Sequence, residues 1–91
     1  MSTVKESLKA LQTLPNIGPS LAQDLYDLGY REPADLKKQD PIAMYQKLCA
    51  QTGERQDPCV LDTFMAAVHF ADTGEKKVWW DFTAHRKTLS F

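Results

Sequence analysis

The sequence predicts an all-α fold, a compact single domain of about five helices. Two Asp-Pro pairs, Asp40-Pro41 and Asp57-Pro58, each set an N-capping carboxylate ahead of a proline at the first helical position. Glycines at 29, 53 and 74 stand where three helices would run out. Between these marks apolar residues recur every three or four positions, and no stretch of useful length alternates with a period of two. The only strand-like segment is "KVWWDF", residues 77 to 82.

Each element follows from local signals. Thr3 and Glu6 fit a capping box, in which a hydroxyl and a glutamate three residues on satisfy free backbone amides, so a first helix starts at Thr3. Leu8 and Leu11 give it an apolar face, which Val4 and Leu14 extend, and it ends before Pro15. Pro19 opens a second helix, with Leu21, Leu25 and Leu28 on one face and Gly29 as its left-handed cap. "REPADLKK" makes a short helical turn with Leu36 inward and Asp35 and Lys38 outward. The helix from Pro41 faces the core with Ile42, Tyr45, Leu48 and Cys49 and stops at Gly53. The helix from Pro58 carries Val60, Leu61, Phe64, Ala67, Val68 and Ala71 on a face wide enough for a central core helix, and stops at Gly74. Residues 1 to 74 thus form the domain, and residues 75 to 91 a basic, tryptophan-containing tail that packs on it or extends from it.

Composition narrows the function classes. The chain has 91 residues, of which 43% are hydrophobic, enough for one globular core and too short for two. A domain of this size buries only roughly 60 to 65% of its unfolded surface. The first residues, "MSTVKESLKALQTL", contain charges and no apolar run, so they are neither a secretory signal nor an anchor, and a cytoplasmic protein with no membrane partner is expected. In that compartment Cys49 and Cys59 are free thiols. The formal charge of −1 gives no general affinity for polyanions. The tail differs: Lys76, Lys77, Arg86 and Lys87 face only Glu75 and Asp81, which makes it the one basic end.

The stretch "LPNIGPSLA", residues 14 to 22, raises the functional question. Leu14-Pro15-Asn16-Ile17-Gly18 followed by Pro19-Ser20-Leu21-Ala22 resembles the helix-hairpin-helix motif, and with it the SAM and helix-hairpin-helix class of folds. The resemblance implies that Ile17 plugs the hairpin, Gly18 takes a backbone conformation closed to side chains, and Ala22 packs the helices closely. Asn16 stands where the motif usually has its first glycine, and asparagine tolerates left-handed backbone. Such a hairpin aims the amides around Gly18 and Ser20 at one point, at the positive end of a helix, where a DNA phosphate fits without sequence being read. In DNA-binding members a lysine or arginine often follows the hairpin; here Ser20 and Gln23 hold those positions, and the nearest basic groups are Arg31, Lys37 and Lys38.

The likeness extends over nearly the whole chain. "LQTLPNIGPSLAQDLYDLGYREPADLKKQDP", "LCAQTGERQDPCVLDTFMAAVHFA" and the lysine-rich "KKVWWDF" with "RK" after it resemble the small bacterial pathogenicity-locus family, some members of which carry the label mitomycin resistance protein. The chain is also similar to the C-terminal domain of TfoX-like competence regulators. The resemblance implies a helical fold with a helix-hairpin-helix, DNA binding and no settled biochemical role.

Other chemistry finds little support in the residues. Cys49, Cys59, His69 and His85 match no zinc spacing, so no metal is expected, although hairpins of this type can hold a monovalent cation through their carbonyls. His69 with Asp57 or Asp62 makes no hydrolase constellation, and neither an enzyme, a cofactor nor a small-molecule substrate is expected. Trp79 and Trp80 among lysines suit either stacking on single-stranded bases or a protein contact. In an extended tail they point to opposite sides, one anchoring the tail and one near the surface. The expected function is a non-enzymatic, sequence-nonspecific DNA-binding module, for duplex or single strand. It grips a phosphate through Asn16, Ile17, Gly18 and Ser20 with help from Arg31, Lys37 and Lys38. The alternative is a protein-interaction module of DNA repair or uptake, docked through Trp79 and Trp80 or the last helix, in which the hairpin is only structural.

Overall fold

The computed structural model describes residues 3 to 88 and is all-α, with five α-helices and two 3-10 turns among them. Helix α1 spans Val4–Leu11, α2 Pro19–Asp27, α3 Pro41–Thr52, α4 Pro58–Thr73 and α5 Thr83–Arg86; the 3-10 turns are Pro33–Leu36 and Trp79–Phe82. The radius of gyration, 12.3 Å, matches the roughly 12 Å of a chain this long folded as one compact body.

The helix starts are set by their caps. The Thr3 hydroxyl accepts the Glu6 amide at 3.1 Å, Asp40 accepts the Ile42 amide at 3.0 Å, and Asp57 accepts the Cys59 amide at 2.9 Å. The ends follow the glycines. Gly53 and Gly74 are left-handed, at φ of 71° and 76°. After α2, the Tyr30 amide reaches the Leu25 carbonyl and the Gly29 amide the Tyr26 carbonyl, each at 3.0 Å, with Gly29 at φ 107° between them. This paired closure satisfies carbonyls that the helix end leaves open.

Helix α4 is the axis of the core. Every residue from Leu61 to Val68 is buried, and α3, α5 and both 3-10 turns pack against it, while α1 packs on α2. Phe64, Leu11, Leu25, Leu36, Met44, Leu48 and Leu61 are wholly buried. Three sequence expectations change. The inward stripe of α1 is Ser7 and Leu11 with Leu8 half-buried beside them, Leu14 is buried beyond the helix end, and Val4 lies outside the stripe, 49% exposed. Met44 is buried on α3, while Ile42 and Cys49 are only half-buried. "KVWWDF" is not a strand: Val78 is extended, but the last four residues form a 3-10 turn that runs directly into α5, closing i to i+3 hydrogen bonds such as Asp81 amide to Val78 carbonyl.

Candidate nucleic-acid interface

The corner between α1 and α2 is built on two buried side chains and one left-handed residue. Leu14 and Ile17 point into the core, and the Ile17 amide reaches the Leu14 carbonyl at 3.3 Å, closing a turn around Pro15 and Asn16. Asn16 takes the left-handed conformation, at φ 66°. Gly18 does not: it sits at φ −90° and ψ −175°, extended backbone open to any residue, and a Cβ there would meet nothing within 4 Å. The strain expected at Gly18 has been taken by Asn16, and Gly18 serves as the N-cap of α2, a position that wants extended backbone. Ala22 is wholly buried and donates its amide to the Gly18 carbonyl at 2.9 Å.

Asn16, Gly18, Pro19 and Ser20 all lie at the surface. Unlike α1, α3 and α4, α2 has no side chain bonded to its first-turn amides, and like α3 and α4 it has no acidic residue in that turn. Its positive end therefore faces outward with only backbone around it, which is favourable ground for an anion.

The basic side chains distribute differently from the sequence expectation. Arg31 lies at the far end of α2, one helix of nine residues or about 13 Å away. Its guanidinium donates to the Tyr26 carbonyl at 2.8 Å and the Tyr30 carbonyl at 3.2 Å and stacks 3.8 Å over the Tyr26 ring, so it closes the C-terminus of α2 and is not part of the corner. Lys37 and Lys38 are exposed beside the C-terminal end of α4. Lys37 lines a surface hollow with Phe70, Ala71, Asp72 and Gly74, and the Lys38 amide donates to Asp72 at 2.7 Å. Lys38 also has left-handed backbone, at φ 60°.

Past α4 the chain turns to the corner itself. The Asn16 side-chain amide donates to the Lys77 carbonyl at 3.2 Å, a contact between residues 61 positions apart. This places Lys76 and Lys77 next to the corner, which the sequence reading had assigned to Arg31, Lys37 and Lys38. Glu75 tempers the charge there: it pairs with His69 at 2.9 Å and Lys77 at 3.6 Å, and these partners, His69 first, hold its carboxyl below the usual range. Among the described residues Lys37, Lys38 and Lys76 form no ion pair.

The two tryptophans do not diverge. Because they sit in a 3-10 turn, their rings meet edge to face, with centroids 5.5 Å apart and planes at 88°; Trp79 is half-buried and Trp80 is 59% exposed. Arg86 leaves the surface charge. It donates to the fully buried Asp62 at 3.0 and 3.4 Å, and Thr83 adds a third bond at 2.8 Å. The carboxylate holds the guanidinium's pKa above its ordinary value. A signal for this pair was present, since Asp62 is the one charge among the eight inward residues of α4.

Elsewhere, a cleft of about 380 Å³ opens between α3, α4 and the tail, lined by Ile42, Met65, Val68, His69, Phe82 and His85 among others. Cys49 and Cys59 are unpaired and half-buried, and among the described residues no three His, Cys, Asp or Glu side chains are grouped to hold a metal ion. No described helix is long and apolar enough to cross a membrane. Helix α4, buried on all sides from Leu61 to Val68, offers a partner only its ends.

Comparison with known proteins gives a family and one curated relative. The family described as "pathogenicity locus" matches residues 4 to 88. The mitomycin resistance protein McrB of Streptomyces lavendulae is 42% identical over 79 residues, which cover 87% of this chain and 75% of the relative. No solved structure matches.

Proposed function

Since this chain belongs to the pathogenicity-locus family, whose description names no chemistry, we propose from the site itself that it is a cytoplasmic, non-enzymatic DNA-binding module that holds a backbone phosphate on the α1–α2 corner without reading sequence. The observation that carries this reading is the bare N-terminus of α2. Gly18 caps it with no side chain, Pro19 brings no amide hydrogen, and Ser20 is exposed with no side chain capping the first turn. Asn16 and Ile17 shape the turn, and an anion approaching Gly18 meets only backbone, as helix-hairpin-helix recognition of a phosphate requires. Lys76 and Lys77, brought to the corner by the bond from Asn16, supply the counter-charge. The competing reading, docking on a protein of DNA repair or uptake, has the exposed indole of Trp80 in its favour and predicts an interaction that depends little on salt.

The test is Gly18→Asp. A carboxylate at this N-cap takes the amides that a phosphate would use, and it does so in backbone an aspartate adopts freely, so the fold is kept or slightly stabilised. In fluorescence anisotropy with labelled duplex and single-stranded oligonucleotides, we expect the native chain to bind at low salt, to weaken steeply as salt rises, and to lose binding in Gly18→Asp at an unchanged or higher Tm. Unchanged oligonucleotide binding in the folded variant would leave "LPNIGPSLA" as a helix connector.

A further inference from the structure

We propose that the nucleic acid this surface takes is single-stranded, with Trp80 stacking an unpaired base and Lys76 and Lys77 leading the adjoining phosphates to the corner. The inference rests on the phosphate-binding reading above and adds to it the form of the ligand.

Three observations meet in the segment that leaves α4. The bond from Asn16 to the Lys77 carbonyl fixes this segment against the corner through its backbone, leaving both lysine side chains at the surface. Trp80 follows three residues later, so its Cα lies no more than about 11 Å from that of Lys77. Trp80 is 59% exposed, and its ring meets that of the half-buried Trp79 edge to face, at 88°. A large aromatic ring kept in water beside cations suits the face of an unpaired base, which a duplex hides within its stack. The paired base edges of a duplex give this ring no partner.

The charge balance agrees. Lys76 forms no ion pair among the described residues, and Lys77 is joined only to the exposed Glu75, at 3.6 Å. Such a surface pair is weak and gives way to a phosphate. Arg31, engaged on α2, takes no part.

The measurement is anisotropy of a labelled oligothymidine and of a duplex of equal length, with the native chain, Trp80→Ala, Trp80→Phe, Lys76→Glu with Lys77→Glu, and Arg31→Gln. Circular dichroism confirms that each variant is folded. We expect tighter binding of the single strand than of the duplex. Trp80→Ala should cost the single strand roughly 5- to 150-fold in Kd and leave the duplex unchanged, and Trp80→Phe should restore part of the loss. The double lysine variant should lower the salt slope for the single strand by about 1.4, at ~0.7 per phosphate contact, and Arg31→Gln should change nothing. Equal binding of both forms, with Trp80→Ala indifferent and Gly18→Asp defective, overturns this inference and leaves the phosphate corner standing. No binding of either oligonucleotide by the native chain overturns both.

Discussion

Replacing Arg86 with methionine probes the bond on which the core depends. Methionine keeps much of the side chain's apolar length and removes the guanidinium, so Asp62, with none of its surface exposed, keeps only the Thr83 hydroxyl. Leaving the wholly buried Asp62 carboxylate without its counter-charge costs about 3–5 kcal/mol, against a total stability of about 5–14 kcal/mol for a domain of 91 residues. At ~4–8 °C per kcal/mol for a domain of this size, even the lower figure corresponds to a fall in Tm of about 12 °C or more. The assay is urea and thermal unfolding followed by far-ultraviolet circular dichroism. A second substitution identifies the cause: Asp62→Asn in the Arg86→Met background removes the bare charge and should recover most of the loss. A single variant that costs less than about 1 kcal/mol, or a double variant no more stable than the single, would refute the reasoning, since either shows that the buried charge is not what Arg86 neutralises.

Two further predictions concern the helix ends. The Asp57 carboxyl is held below its ordinary value of 3.8 by hydrogen bonds from Cys59, so the cap contributes fully above that value and its contribution is lost as pH falls through the depressed one. Urea midpoints taken from pH 5 to pH 2 should fall less steeply in Asp57→Asn, which caps without titrating, and equal slopes would count against the cap. Gly74→Ala should cost about 1 kcal/mol in urea unfolding, from left-handed backbone alone, because its Cβ would touch nothing. A neutral Gly74→Ala would mean that the end of α4 relaxes freely.

Much of the fold is written in local chemistry, and those parts are legible. Asp40-Pro41, Asp57-Pro58 and Pro19 mark helix starts because each acts on amides within three residues of itself, and Gly29, Gly53 and Gly74 mark ends for the same reason. The corner was legible as a corner, and the left-handed backbone that asparagine tolerates is there at Asn16, but the special conformation expected at Gly18 is not, since the pattern does not say which turn residue also caps the next helix. What depends on distant contacts was not legible. Arg86 read as surface charge because its partner lies 24 positions earlier. Lys76 and Lys77 were grouped with the tryptophans because only the bond from Asn16, 61 positions away, brings them to the corner. The tail's 3-10 turn and one-turn helix carry no capping signal, and their packing on α4 forms them.

The bond between Asp62 and Arg86 also orders events in time. A ribosome making about 5–20 residues per second adds Arg86 roughly one to five seconds after Asp62, which lies 24 residues earlier. By the end of that interval the nascent chain holds the buried side chains from Leu11 to Val68 and the Gly74 cap, yet α4 still carries a charge with no counterion. The helical turn that carries Arg86 is therefore the one that lets this part of the core close. Until then the growing chain has reason to keep that face of α4 in water.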